Sequence, residues 1–228
     1  MKKGFILLAI LFMASSLPAL AQERRISVEG GAMINNSTWD FSDRKVKSVG
    51  GFNAGVRAEF EIYENVWIQS GLVFTTKGSE SQIKNQPTPE FESYTRDITT
   101  TYRPLYLEVP ILVAYKFRLS PSVNLFAAAG GFVAQGLTGE YNYKLKYNRD
   151  VVPPSWADID TSESSFSKGG LKRFDAGLSA GVGLEWGRIT FRVTHDWSML
   201  NIVKDKAIVG TDTFKNRSLS IAVGLRLF

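Results

Sequence analysis

The chain's single histidine, His195, lies in Val193-Thr194-His195-Asp196-Trp197-Ser198, where an imidazole, a carboxylate and a hydroxyl fall close together. Were they to converge, these groups would be the base, orienting acid and nucleophile of acyl transfer or hydrolysis. The segment alternates apolar with polar residues, however, and successive side chains of a strand leave on opposite faces. His195 and Asp196 then diverge and cannot pair directly. What remains is a histidine beside Trp197 near the end of a strand.

The other residues able to do chemistry are charged side chains at alternating positions: Glu29, Arg57, Glu59, Glu108, Lys116, Asp175, Glu185, Arg192 and Arg226. If they share one enclosed face, burial requires that they pair, and a connected network of ion pairs and hydrogen bonds is expected. With no cysteine, the chain has no thiolate metal site, no disulfide and no lipid-modified N-terminus. No metal-ligand spacing or nucleophile elbow occurs. The Gly169-Gly170 pair between Lys168 and Lys172 is followed by a strand, where a phosphate loop would need a helix. No cofactor, metal or catalytic activity is therefore expected. A net charge of +5 without a basic tract excludes nucleic acid as a partner.

The elements that must position these residues are strands. Residues 51–62, GFNAGVRAEFEI, set Phe52, Ala54, Val56, Ala58, Phe60 and Ile62 on one face and Asn53, Gly55, Arg57, Glu59 and Glu61 on the other. The pattern returns to give eight strands at about 25–35, 51–63, 66–77, 104–117, 124–136, 173–186, 188–201 and 216–228. The connections at Glu64-Asn65, Arg118 to Val123 and Gly187 are short; those at 36–50, 78–103, 137–172 and 202–215 are long. Pro110, inside a strand pattern, predicts a bulge.

Alternation alone does not say which face is outside. The polar face carries Gly177, Gly181 and Gly183, which suits a tight interior, and Tyr63, Trp67, Tyr102, Tyr115, Phe117, Trp186 and Trp197 gather at strand ends like interface girdles. With the loop asymmetry and the terminal Phe228, this predicts an all-β fold. It is an eight-stranded antiparallel up-and-down transmembrane β-barrel with short periplasmic turns and long extracellular loops, in the outer membrane of a Gram-negative bacterium. The head Met1-Lys2-Lys3, the apolar run from Phe5 to Met13 and Ala19-Leu20-Ala21 form a signal peptide over 1–21, leaving 22–228 as the barrel with no peptidoglycan-binding domain expected after it.

Three segments carry a family likeness: Trp67-Ile68-Gln69-Ser70-Gly71-Leu72-Val73-Phe74-Thr75-Thr76-Lys77-Gly78, Tyr106-Leu107-Glu108-Val109-Pro110-Ile111-Leu112 and Arg173-Phe174-Asp175-Ala176-Gly177. In these the chain resembles the PorT-like outer-membrane β-barrel proteins of Bacteroidetes, across its whole mature length. The resemblance implies an outer-membrane barrel; one branch of that family is tied to protein secretion, and nothing here points to that branch. The chain departs from the usual C-terminal signature in that Phe228 falls in register with Arg226 rather than with Leu225 and Leu227.

An eight-stranded barrel is just wide enough for side chains to fill it, so an open pore is excluded. Function then belongs to the loops. Tyr141, Tyr143, Tyr147, Trp156 and Phe166, read as one long loop, are candidate contacts for a protein or glycan partner. Lys77, Arg103, Lys168, Lys172, Arg173, Lys204, Lys206, Lys215 and Arg217 are placed to meet outer-membrane lipid and the phosphates of lipopolysaccharide. The expected function is a non-enzymatic structural or interaction protein. The alternatives are a narrow conduit or accessory of a secretion or envelope machine and, with least support, a lipid-modifying enzyme.

Overall fold

The computed structural model of the protein describes residues 23–39, 45–87, 95–147, 157–168 and 170–228. Residues 1–21, read from the sequence as a signal peptide, and Trp156 lie outside the described residues. Among the described residues eleven strands follow in order: β1 (Arg24–Trp39), β2 (Lys45–Lys47), β3 (Val49–Tyr63), β4 (Val66–Thr76), β5 (Ser79–Pro87), β6 (Thr95–Ser120), β7 (Val123–Tyr147), β8 (Ile159–Ser164), β9 (Phe174–Trp186), β10 (Ile189–Ser198) and β11 (Phe214–Arg226). One helical turn, α1 (Lys206–Val209), precedes β11, capped by the Asp205 carboxylate and by Gly210 in the left-handed region.

Eight strands close a ring in chain order, β1-β3-β4-β6-β7-β9-β10-β11, every neighbour antiparallel, and β11 returns to β1. Closure pairs the backbone of every strand on both sides, which is what a sheet in lipid requires. The tight turns at Glu64-Asn65, Pro121-Ser122 and Gly187-Arg188 share the periplasmic rim with the start of β1 and the end of β11. Asn65 and Gly187 take positive φ there, as two-residue turns demand. Among the described residues no helix is long and apolar enough to cross a membrane; the strands do the crossing.

The apolar face is the outer one. Val56 and Leu178 are 48% and 53% exposed, whereas Arg57 between its apolar neighbours is 6% exposed. Small residues let the inner face fill: a Cβ on Gly183 would stand 2.3 Å from the ring of Phe126, so glycine makes room for that side chain. Tyr63, Tyr115, Phe117 and Trp186 are exposed outward at the periplasmic rim, and Tyr115 and Phe117 meet edge to face. Two residues expected in the girdles point inward instead. Trp67 is buried in the lumen and Tyr102 in the extracellular mouth.

Two strands run far beyond the sequence-derived boundaries. β6 and β7 stay paired from the periplasmic turn out to Arg96 and Tyr147; β5 and β2 add to the outer part of β6, and β8 to that of β7. Above the ring stands a five-stranded extracellular sheet, β2-β5-β6-β7-β8. Stretches expected to be loops are therefore largely strand. Pro110 causes no bulge: the β4–β6 ladder skips at that level in constant register, and the Ser70 hydroxyl donates to the Pro110 carbonyl at 2.8 Å. The β6–β7 register shifts at Leu137 of β7, an extra residue between Gly136 and Thr138, and again beside the periplasmic turn between Arg118 and Ser120.

Candidate functional site

The lumen is filled in layers. Nearest the periplasm, Lys116 binds Glu59 at 2.6 Å and also Glu185, whose other oxygen takes Arg25 at 2.8 Å and Asn124 at 3.2 Å. Trp67 lies under both cations, 4.1 Å from the Lys116 ammonium and 4.5 Å from the Arg25 guanidinium, so its inward turn supplies a π-face to charges taken out of water. Gln69 donates to Glu59 at 2.7 Å and accepts from Arg192 at 2.9 Å, joining this layer to the next. There Arg57 makes a bidentate pair with Glu29, Arg192 lies 3.6 Å from the same carboxylate, and the Arg192 guanidinium covers Phe126.

The outermost charged layer centres on Lys77. Its ammonium sits 2.8 Å from Glu108, 3.9 Å from Asp175 and 3.8 Å above the Phe132 ring. Ser198 and Asn216 donate to Asp175 at 2.7 and 3.0 Å. Lys77, assigned from the sequence to the outer surface, is fully buried because it follows the inward parity of β4. Arg226 lies at the periplasmic mouth, apart from these layers. A cavity of only about 20 Å³ remains between the middle and outer layers, room for about one water.

Above the charges the mouth is closed by apolar packing. Trp39, Tyr102, Tyr106, Phe132, Phe166, Leu171, Ile202, Val209 and Phe214 form one buried cluster, with Val46 and Tyr141 against it. Phe166, expected as a loop contact, is therefore an internal plug. Its ring meets Tyr106 edge to face and occupies space that a Cβ on Gly136 would fill. Arg173, expected among surface cations, clamps the β7 bulge: it donates to the carbonyls of Gly136 and Leu137 at 3.0 and 2.7 Å and lies over Phe166. Lys168 and Lys206 are engaged by Glu163 and Asp212, both at 2.8 Å, and Lys172 donates to the Asn201 carbonyl. Arg103 and Arg217 are exposed.

Tyr141, Tyr143 and Tyr147 belong to β7 rather than to a loop, half-buried on the lumenal side of the extracellular sheet. Tyr141 packs against Tyr102 with the rings tilted and their centroids 4.9 Å apart, and partial burial pushes its phenol pKa up. The sheet's other side is charged: Lys47, Lys84, Asp97, Lys144 and Lys146 line a shallow groove of about 300 Å³, with Asp160 bound to Lys144 at 3.0 Å. His195 faces outward, stacked on Trp197 at 4.1 Å, while Asp196 and Ser198 are buried inside. The three groups do not assemble. Among the described residues no group of three or more histidines, cysteines or carboxylates is placed to hold a metal ion.

Closed strand pairing, an apolar outer belt and a charged, filled lumen define an outer-membrane β-barrel. Residues 18–204 match the outer membrane protein beta-barrel domain, and the chain belongs to that family. It is localised to the outer membrane, in contact with its lipid. No curated protein matches it in sequence. Similar solved structures include Pseudomonas aeruginosa OprG, at 12% identity and a TM-score of 0.41, covering 91% of this chain and 97% of that one. Another is Yersinia pestis Ail, the attachment invasion locus protein, in complex with the heparin analogue sucrose octasulfate, at 13% identity and a TM-score of 0.36, covering 90% and 100%. Neisserial surface protein A is similar at 10% identity and a TM-score of 0.37, covering 90% and 99%.

Proposed function

We propose that this barrel is a non-enzymatic structural or interaction protein that uses its extracellular sheet as a platform for a protein or glycan partner. The observation that carries the reading is the division of labour along β6 and β7. Below the bulge they enclose a lumen blocked by ion pairs; just above it Tyr102 and Tyr141 join the apolar plug, and from there the two strands continue outward as part of the extracellular sheet. The blocked lumen argues against a conduit, and the divergence of His195 from Asp196 and Ser198 argues against lipid hydrolysis. Arg103 and Arg217, at the level where β6 and β11 emerge, are suited to the phosphates of lipopolysaccharide. The signal segment 1–21 is removed on export, leaving 22–228. The motifs on β4, β6 and β9 support a place among the PorT-like proteins of Bacteroidetes.

The test is reconstitution of the full mature chain in planar bilayers, with lipid A mass analysis of cells carrying and lacking the protein. The reading expects a silent membrane and unchanged lipid A. Stepwise ion currents would make the protein a conduit, and an altered lipid A would make it an enzyme.

A further inference from the structure

The periplasmic mouth has a feature that neither the platform nor the filled lumen requires. Arg25 of β1, Arg118 of β6, Arg188 of the β9–β10 turn and Arg226 of β11 all line one open cavity of about 520 Å³. The segments that carry them are braced by the backbone: the Arg226 amide donates to the Arg188 carbonyl at 2.7 Å, and the Gly187 amide to the Ser122 carbonyl at 2.8 Å. Arg25 is held by Glu185 at 2.8 Å, by Glu23 at 2.9 Å and by the face of Trp67, so its guanidinium is fixed before any ligand arrives.

We propose that this mouth binds an oxyanion, a carboxylate or a phosphate group presented from the periplasm. Charge and shape both point there. Four arginines line one cavity, and with Arg25 already paired to Glu23 and Glu185, the side chains of Arg118, Arg188 and Arg226 leave the wall with an excess of positive charge. Such groups repel one another, and an anion between them relieves that repulsion. Their planar forks match the two oxygens of a carboxylate or phosphate. Ser122 and Asn124 add neutral polar groups to the same wall. The floor is closed by the Lys116–Glu185 pair, and only about 10 Å³ of space continues inward between Glu59 and Arg226. The funnel therefore ends blind, which suits binding and not passage. Its walls are strand ends and turns, so an anion enters from water and not from the surrounding lipid.

The experiment uses the full mature chain in lipid nanodiscs, with the arginine Nε–H resonances followed by NMR during titration with inorganic phosphate and, separately, citrate. Saturable shifts of the mouth arginines are expected with at least one of the two. Preference for phosphate assigns the site to a phosphate-bearing group, and preference for citrate to a carboxylate-bearing one. The exposed pair Arg118→Gln and Arg188→Gln should weaken binding at least about tenfold, as loss of charge-assisted hydrogen bonds does. Lys204→Gln with Lys206→Gln, on the opposite side of the membrane, should leave binding unchanged. Absence of saturable shifts with both anions, or equal weakening by the Lys204 and Lys206 variants, would overturn the proposal.

Discussion

The lower and upper halves of β6 and β7 are continuous strands with opposite polarity. In the ring, the outward residues of β6 are Leu107, Val109, Ile111, Val113 and Tyr115, and the inward ones include Glu108 and Lys116. Beyond the ring the outward side carries Asp97 of β6 and Lys144 and Lys146 of β7, while Ile98, Tyr102, Tyr141, Tyr143 and Leu145 turn to the lumenal side. The same ladder serves both halves; what changes is the solvent. Lipid selects apolar side chains on the outside and leaves polar ones to pair within, and water selects the reverse. The inversion marks the top of the hydrocarbon layer, and the Leu137 bulge and its Arg173 clamp sit at that level.

Breaking the comparison should be most costly inside the ring. Arg57→Ala strips Glu29 of its bidentate partner in a nearly dry lumen, and uncoupling a buried pair costs about 3–5 kcal/mol. Urea unfolding in detergent should show it as a large fall in midpoint, with no ion current appearing in bilayers. Next comes the outward face, where one substitution separates the two halves. Val56→Arg in the apolar belt should cost about 2–4 kcal/mol near the bilayer midplane. Asn142→Arg on the outward side of the platform should stay within about 0.5 kcal/mol. Equal costs at the two positions would deny the inversion. Arg173→Ala removes the guanidinium donor shared by the Gly136 and Leu137 carbonyls and should cost about 1–3 kcal/mol. Hydrogen exchange should place that loss around the bulge and the Phe166 plug, with the periplasmic half of the ring still protected.

The ring itself was legible from the sequence. Strict alternation, three short turns against four long connections and charges at every second position all have one cause, a sheet between lipid and a small lumen. The platform was not legible, for a physical reason that can be located. Leu137 adds one residue to β7 and reverses the parity of everything after it, so Tyr141, Tyr143 and Leu145 look out of phase with the barrel strand and read as a loop. The polarity inversion compounds this, since a reader who holds the apolar face outward throughout finds no strand above the membrane. Lys77 and Trp67 were misplaced by a different confusion. Basic and aromatic residues at strand ends suit an interface, yet each lies on the inward parity, where a cation and an aromatic face stabilise one another. Trp67 at alternate spacing from Gln69 was the available signal.

The inversion can be measured directly, because the chain has no cysteine and accepts single spin labels without background. A scan through β7 in lipid bilayers, comparing relaxation by oxygen with relaxation by a water-soluble nickel chelate, reads lipid and water contact at each residue. Oxygen contact should peak at Ala129, Gly131 and Val133. Nickel contact should peak at Glu140, Lys144 and Lys146, with Leu145 shielded from both. Oxygen contact that continued on odd-numbered residues through Leu145 would mean that β7 keeps one polarity within lipid to its end, and the extracellular platform would not exist.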